Sequence, residues 1–107
     1  MTRFAHSSFL SLASLMLWVS TTAFAADTTI KISQFAFAPA SVEVDVGSKV
    51  TWVNEDKAVH SVISDTSRFG SEPLKQGDQF STAFNTPGTY KYRCGFHDYM
   101  TGTVVVK

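Results

Sequence analysis

Pro87-Gly-Thr-Tyr-Lys-Tyr-Arg-Cys94-Gly-Phe-His97-Asp-Tyr-Met100-Thr-Gly-Thr-Val-Val-Val106 decides how this chain is read. A Pro-Gly turn opens the stretch. Thr89 to Cys94 then alternates, with Tyr90, Tyr92 and Cys94 on one face and Lys91 and Arg93 on the other. That period of two is a half-buried strand. Cys94 shares the aromatic face, so its sulfur is expected to point inward. Thr101 to Lys107 reads as a second strand, rich in β-branched residues, with Val104 and Val106 together. Between the two strands lies a tight connection carrying a thiol, an imidazole and a thioether, each three residues after the last.

Upstream of this stretch the same period recurs. Ile30 and Ile32 share a face within Thr28 to Ser33. Phe35-Ala-Phe37-Ala-Pro39 continues the alternation until proline ends it. Val42, Val44 and Val46 alternate with polar residues, and Gly47-Ser48 then turns the chain. Lys49 to Asn54 places Val50 and Trp52 together, and Asn54-Glu-Asp56-Lys57 reads as a polar turn. Val59 to Ser64 reads as a short strand with His60 and Val62 on one side. Asp65 to Asp78 lacks a period and holds Gly70, Pro73 and Gly77, as a long loop does. Gln79 to Asn85 alternates again through Phe80, Thr82 and Phe84. About seven to eight short strands with close turns and no helical period predict an antiparallel β-sandwich. The connection carrying Cys94, His97 and Met100 would then lie at one end of it, where loops cluster.

The first residues read differently. Arg3 supplies a positive start, Phe9 to Val19 is a short apolar run, and Ala23-Phe-Ala25 fits a cleavage site. Residues 1–25 are therefore expected to be a secretory signal peptide, and 26–107 a single domain exported to the periplasm. The run is too short and serine-interrupted to span a bilayer, so no membrane attachment is expected after cleavage. Nine basic residues balance nine acidic ones, which gives no basic stripe for nucleic acid. Charged residues make up only 17% and aromatics 13%, a composition that packs a core.

Export sharpens the reading of the single cysteine. It cannot form a disulfide within its own chain, so it is buried, paired between chains, or held as a metal thiolate. Apart from Met1, His6 and Met16 in the leader, the only His and Met residues are His60, His97 and Met100. Two imidazoles, one thiolate and a weak axial thioether are the donor set of an electron-transfer copper site. His60, Cys94, His97 and Met100 are accordingly the expected ligands of one copper ion cycling between Cu2+ and Cu+. Zinc is the chemical competitor, although a thioether is a poor ligand for it.

These residues carry a family resemblance. Phe35-Ala-Phe37-Ala-Pro39, Gly47-Ser-Lys-Val-Thr-Trp52-Val-Asn54, His60-Ser-Val, Pro87-Gly-Thr-Tyr-Lys-Tyr92-Arg-Cys94 and Gly102-Thr-Val resemble the cupredoxins, the small type 1 blue copper proteins. The short Cys-x-x-His-x-x-Met loop resembles that of amicyanin more than the longer loops of plastocyanin and pseudoazurin. The resemblance implies a Greek-key sandwich, a type 1 copper and periplasmic electron transfer. Ser61 stands where the family often has an asparagine that ties the two ligand loops together. Phe96 and Asp98 stand where amicyanin-like loops often have prolines. Asp98, beside a ligand, is expected to favour Cu(II) and depress the potential.

The resulting expectation is a monomeric one-electron carrier. A c-type cytochrome, a periplasmic dehydrogenase or a reductase would be its transient partner. Phe96 and Tyr99 beside His97, with Ala58 and Val59 on the neighbouring loop, would form the docking patch. Copper storage, delivery or tolerance is the alternative, although the exposed Met- or His-rich tracts used for delivery are missing. An enzyme is not expected, because the four ligands use up the available His and Cys.

Overall fold

The computed structural model describes residues 27–107. The expected leader, residues 1–25, lies outside the described residues, as does the first residue after it. The strands are β1 (Thr28–Ser33), β2 (Ala36–Ala38), β3 (Ser41–Val44), β4 (Ser48–Asn54), β5 (Ile63–Ser64), β6 (Gln79–Phe84), β7 (Gly88–Arg93) and β8 (Thr101–Val106). They form two four-stranded sheets, ordered β2-β1-β4-β6 and β3-β8-β7-β5.

The sandwich is as expected, but its pairings are mixed rather than wholly antiparallel. β1 pairs parallel with β4, and β3 pairs parallel with β8. Short turns produce antiparallel neighbours, as in β1–β2 and β7–β8. The chain, however, changes sheets between β2 and β3 and again between β3 and β4. Each change sets a strand beside one that runs in its own direction.

The alternating apolar residues meet between the sheets. Ile30, Ile32, Phe37, Val50, Trp52 and Phe84 come from one sheet, and Val44, Tyr92, Val104 and Val106 from the other. Trp52 packs edge-on against Tyr92, with ring centroids 5.3 Å apart. This interior fixes where the strands end. Ile32 pairs with Asn54 at the ends of β1 and β4, and Arg93 with Thr101 where β7 meets β8.

Three sequence expectations give way. Phe35 does not continue the Phe37 alternation; it sits in the two-residue β1–β2 turn with φ 56°. β3 ends at Val44; Val46 N–H still donates to Lys107 O at 3.1 Å, but its side chain is exposed rather than on the core face. Val59 to Ser64 is not one strand. His60 forms an isolated bridge to Leu74, and pairing with β7 begins only at Ile63.

Candidate metal centre

The Cys94–Met100 loop closes the β7–β8 hairpin. Cys94 N–H donates to Met100 O at 3.0 Å, and Met100 N–H donates to His97 O at 3.0 Å. These two bonds curl the loop so that its ligands converge. Cys94 is wholly buried and Met100 nearly so, while His97 is half-buried.

His60 arrives from elsewhere in the chain and is 0% exposed. Its backbone is fixed on both sides, His60 N–H to Leu74 O at 3.1 Å and Leu74 N–H to His60 O at 2.7 Å. Buried Asn54 braces the same segment: its Nδ2 donates to Ala58 O at 2.9 Å and to Leu74 O at 2.8 Å.

Cys94 Sγ lies 3.7 Å from His60 Nδ1 and 3.8 Å from His97 Nδ1. The three donor atoms all lie within 4.8 Å of one another. Metal bonds of about 2.3 Å to sulfur and about 2.0–2.1 Å to nitrogen, opened to ~120°, separate the two donors by about 3.8 Å; ~109° gives about 3.6 Å. The observed spacing therefore fits a single ion shared by the three donors. With soft sulfur, two imidazoles and the Met100 thioether, the donor set suits copper. The four side chains form a type 1 copper arrangement.

The sulfur is also held by amides. Ser61 N–H and Phe96 N–H each donate to Cys94 Sγ at 3.4 Å. Such bonds draw charge from a thiolate and are one control on a copper site's potential. Ser61 bridges the two ligand segments, accepting from Gly95 N–H at 2.8 Å through its Oγ. The short serine suffices because Gly95 lets the chains approach. A Cβ at Gly95 would stand 2.8 Å from that same Oγ.

Of the two polar residues expected beside the ligands, Ser61 is in place, whereas Asp98 is exposed. The carboxylate that reaches a ligand is Asp56, which accepts from His60 Nε2–H at 2.9 Å. Partial burial works against its charge. The Phe35 N–H, the His60 ring and the Gln34 N–H outweigh that and hold the carboxyl below the usual carboxylate range. Phe35 stands edge-on to both imidazoles, with centroids 5.1 Å from each. Neither residue was singled out from sequence. The one available hint was an acidic residue four positions before His60, which also fits a solvated turn.

Phe96 is 54% exposed and Tyr99 68%; Val59 is exposed and Ala58 half-buried. Phe96 is thus a surface residue and not part of the core.

The cupredoxin-like domain family matches residues 8–106. Amicyanin-alpha of Methylorubrum extorquens is 36% identical over 93 residues, covering 78% of this chain and 74% of that protein. Plastocyanin of Scenedesmus fuscus is 33% identical over 98 residues, covering 76% of this chain and 100% of that protein. The structure of a purple cupredoxin from Nitrosopumilus maritimus superposes with a TM-score of 0.71 at 35% identity. It covers 76% of this chain and 100% of its own.

Proposed function

We propose that this chain, which belongs to the cupredoxin family, is an exported one-electron carrier of the periplasm. The carrying observation is the buried Cys94 sulfur with an imidazole nitrogen 3.7 Å away on one side and 3.8 Å away on the other. His60, Cys94, His97 and Met100 would hold one copper ion, the thioether being the weakest donor. When bound, the ion supplies a Cu(II)/Cu(I) couple.

The chain's own part is to keep its donors still. Cys94 is fixed by Ser61 N–H and Phe96 N–H, and His60 by Leu74 and Asp56. A cage that does not rearrange between oxidation states suits fast transfer. Among residues 27–107 there is no further His or Cys, which supports a carrier over an enzyme.

Electrons would pass at half-buried His97. Exposed Phe96, Tyr99 and Val59, with Ala58, offer an apolar collar for a transient redox protein such as a c-type cytochrome, a periplasmic dehydrogenase or a reductase. Partners of that kind need only small interfaces. Residues 1–25 would be removed on export; mass spectrometry of periplasmic protein beginning at Ala26 would bear that out, and retention of the leader would refute it.

The deciding experiment is the visible spectrum of the Cu(II)-loaded domain, with Cys94→Ala as control. An intense thiolate-to-copper band that disappears in the variant is expected. A colourless protein that prefers zinc would overturn the carrier. Copper release to an acceptor protein faster than electron exchange would favour copper delivery instead.

A further inference from the structure

The β1–β2 turn is built from unusual residues. Gln34 and Phe35 have φ 54° and 56°, and Ser33 pairs with Ala36 across them. Two positive φ values in a two-residue hairpin loop define a turn that normally demands Asn-Gly or Asp-Gly. Side chains other than Gly, Asn and Asp rarely enter the left-handed region. Something beyond the turn must hold it there.

That hold is Asp56. Its Oδ1 accepts from Gln34 N–H at 2.8 Å, and its Oδ2 from Phe35 N–H at 2.9 Å. The same Oδ2 accepts from His60 Nε2–H at 2.9 Å. Asp56 is steadied from behind, its own N–H donating to buried Asn54 Oδ1 at 2.9 Å. A carboxylate only accepts hydrogen bonds, so the proton of neutral His60 lies on Nε2 and the Nδ1 lone pair faces Cys94.

The turn in its turn places Phe35. Its ring crosses both ligand imidazoles, at 90° to His60 and 87° to His97. The two imidazoles are themselves 5.1 Å apart. Phe35 therefore covers the seam between them, with 43% of its surface facing water.

We infer that Asp56, the Gln34–Phe35 turn and the Phe35 ring form one positioning device for the metal centre. A single carboxylate fixes the His60 tautomer and pins the strained turn. The pinned turn holds an aromatic bar against the rotation of both imidazoles. Asp56 and Phe35 are positioning residues that act through His60 and His97. The inference rests on the copper reading of those ligands, but its core can be tested with no metal present.

The test begins with the metal-free domain at about pH 8, where an ordinary imidazole is neutral. Nitrogen-15 correlation should find His60 protonated at Nε2, and amide exchange should find Gln34 and Phe35 protected. The other tautomer, or unprotected amides, would overturn the device in the wild-type protein, whatever any variant does. In Asp56→Asn one oxygen becomes a donor, so at least one of the three donors loses its acceptor. Exchange at Gln34 or Phe35 should then rise at least tenfold.

Zinc, which is colourless and redox-silent, then probes the cage. Dissociation of zinc should be about 10- to 100-fold faster in Asp56→Asn, and faster also in Phe35→Ala with its His60 tautomer unchanged. The double variant should be little worse than Asp56→Asn alone, because both changes disable one device. Rates that multiply would show two independent contacts and overturn the inference. Wild-type protein with the expected tautomer and protected amides that fails to bind copper would sink the carrier and leave the clamp standing.

Discussion

The two imidazoles of the centre are held by opposite kinds of structure. His97 belongs to a short hairpin loop shaped mainly by its own bonds, from Cys94 to Met100 and from Met100 to His97, and tied to the rest of the chain at Ser61. His60 is held by Leu74, Asp56 and Phe35, and Asn54 braces the same segment; these residues come from three separate places in the chain. One side is a loop that closes on itself and meets water. The other is part of the tertiary structure. A ligand of the second kind is as rigid as the sandwich, whereas one of the first kind is open to contact with a partner. Changes on the His60 side should therefore register in global stability, and changes on the His97 side chiefly in local chemistry.

The sharpest way to break this contrast is Asn54→Ala. The amide is wholly buried and serves Ala58 O, Leu74 O and Asp56 N–H. The Leu74 bond is buried and the other two partly so, and a buried partner left unsatisfied costs about 1–3 kcal/mol. Denaturant unfolding of the metal-free domain should show a loss of about 3 kcal/mol or more. Tyr99→Ala, on the exposed side, should change stability by about 0.5 kcal/mol or less. Equal losses from the two variants would abolish the distinction.

Gly95→Ala probes the junction between the two sides. The new Cβ would fall 2.8 Å from Ser61 Oγ, against the bond that joins the ligand segments. Overpacking of this kind costs about 1–3 kcal/mol. Ser61→Ala alone should cost about 1 kcal/mol, the worth of one hydrogen bond. The double variant should be less damaging than the sum, because removing the hydroxyl also removes the clash. Strict additivity in unfolding measurements would show that Ser61 and Gly95 do not meet as described.

The same division explains what could be read without a structure. Tyr92, Cys94, Val104 and Val106 announce their faces by alternation, and the ligand loop declares itself through spacing three residues wide. Those signals are local, and the structure honours them. Phe35 misled because Phe-Ala-Phe has a strand's period. What turns it out of line is a carboxylate 21 residues away, and no window on the sequence contains both. His60 was found by scarcity, but its bracing by Asn54 and Leu74 was not. The Leu74 contacts exist only after the segment between β5 and β6 folds back onto Asn54 and His60. The parallel pairings escaped for a related reason, since turn signals report hairpins and not the strands that meet when the chain changes sheets.

Gln34→Gly sharpens the comparison from the other direction, by making a His60-side element easier to form. Gln34 is exposed, with φ 54°. Relieving a left-handed residue returns about 1–2 kcal/mol. The greater freedom of glycine in the unfolded chain takes back about 0.4–1 kcal/mol. A net gain of about 0.5 kcal/mol is expected, seen as a small rise in midpoint with no change in metal affinity. A loss would mean that the turn is not strained and that Asp56 is not what holds it.

The smallest effect should come from the carboxylate that looked most important in the sequence. Asp98 adjoins His97 along the chain, yet it is exposed, whereas Asp56 touches His60 at 2.9 Å. A charge standing in water is weakened by the high dielectric and by salt, whose screening length is about 8–10 Å under ordinary conditions. Asp98→Asn should therefore raise the copper potential slightly at low ionic strength, with the rise fading as salt is added. A change at Asp56 acts through a hydrogen bond to the ligand ring itself, and salt should leave it in place. Redox titration of the two Asn variants across a salt series separates the cases. If Asp98→Asn shifts the potential as much as Asp56→Asn and keeps that shift at high salt, sequence adjacency counts for more than contact, and the asymmetry between the two histidines fails.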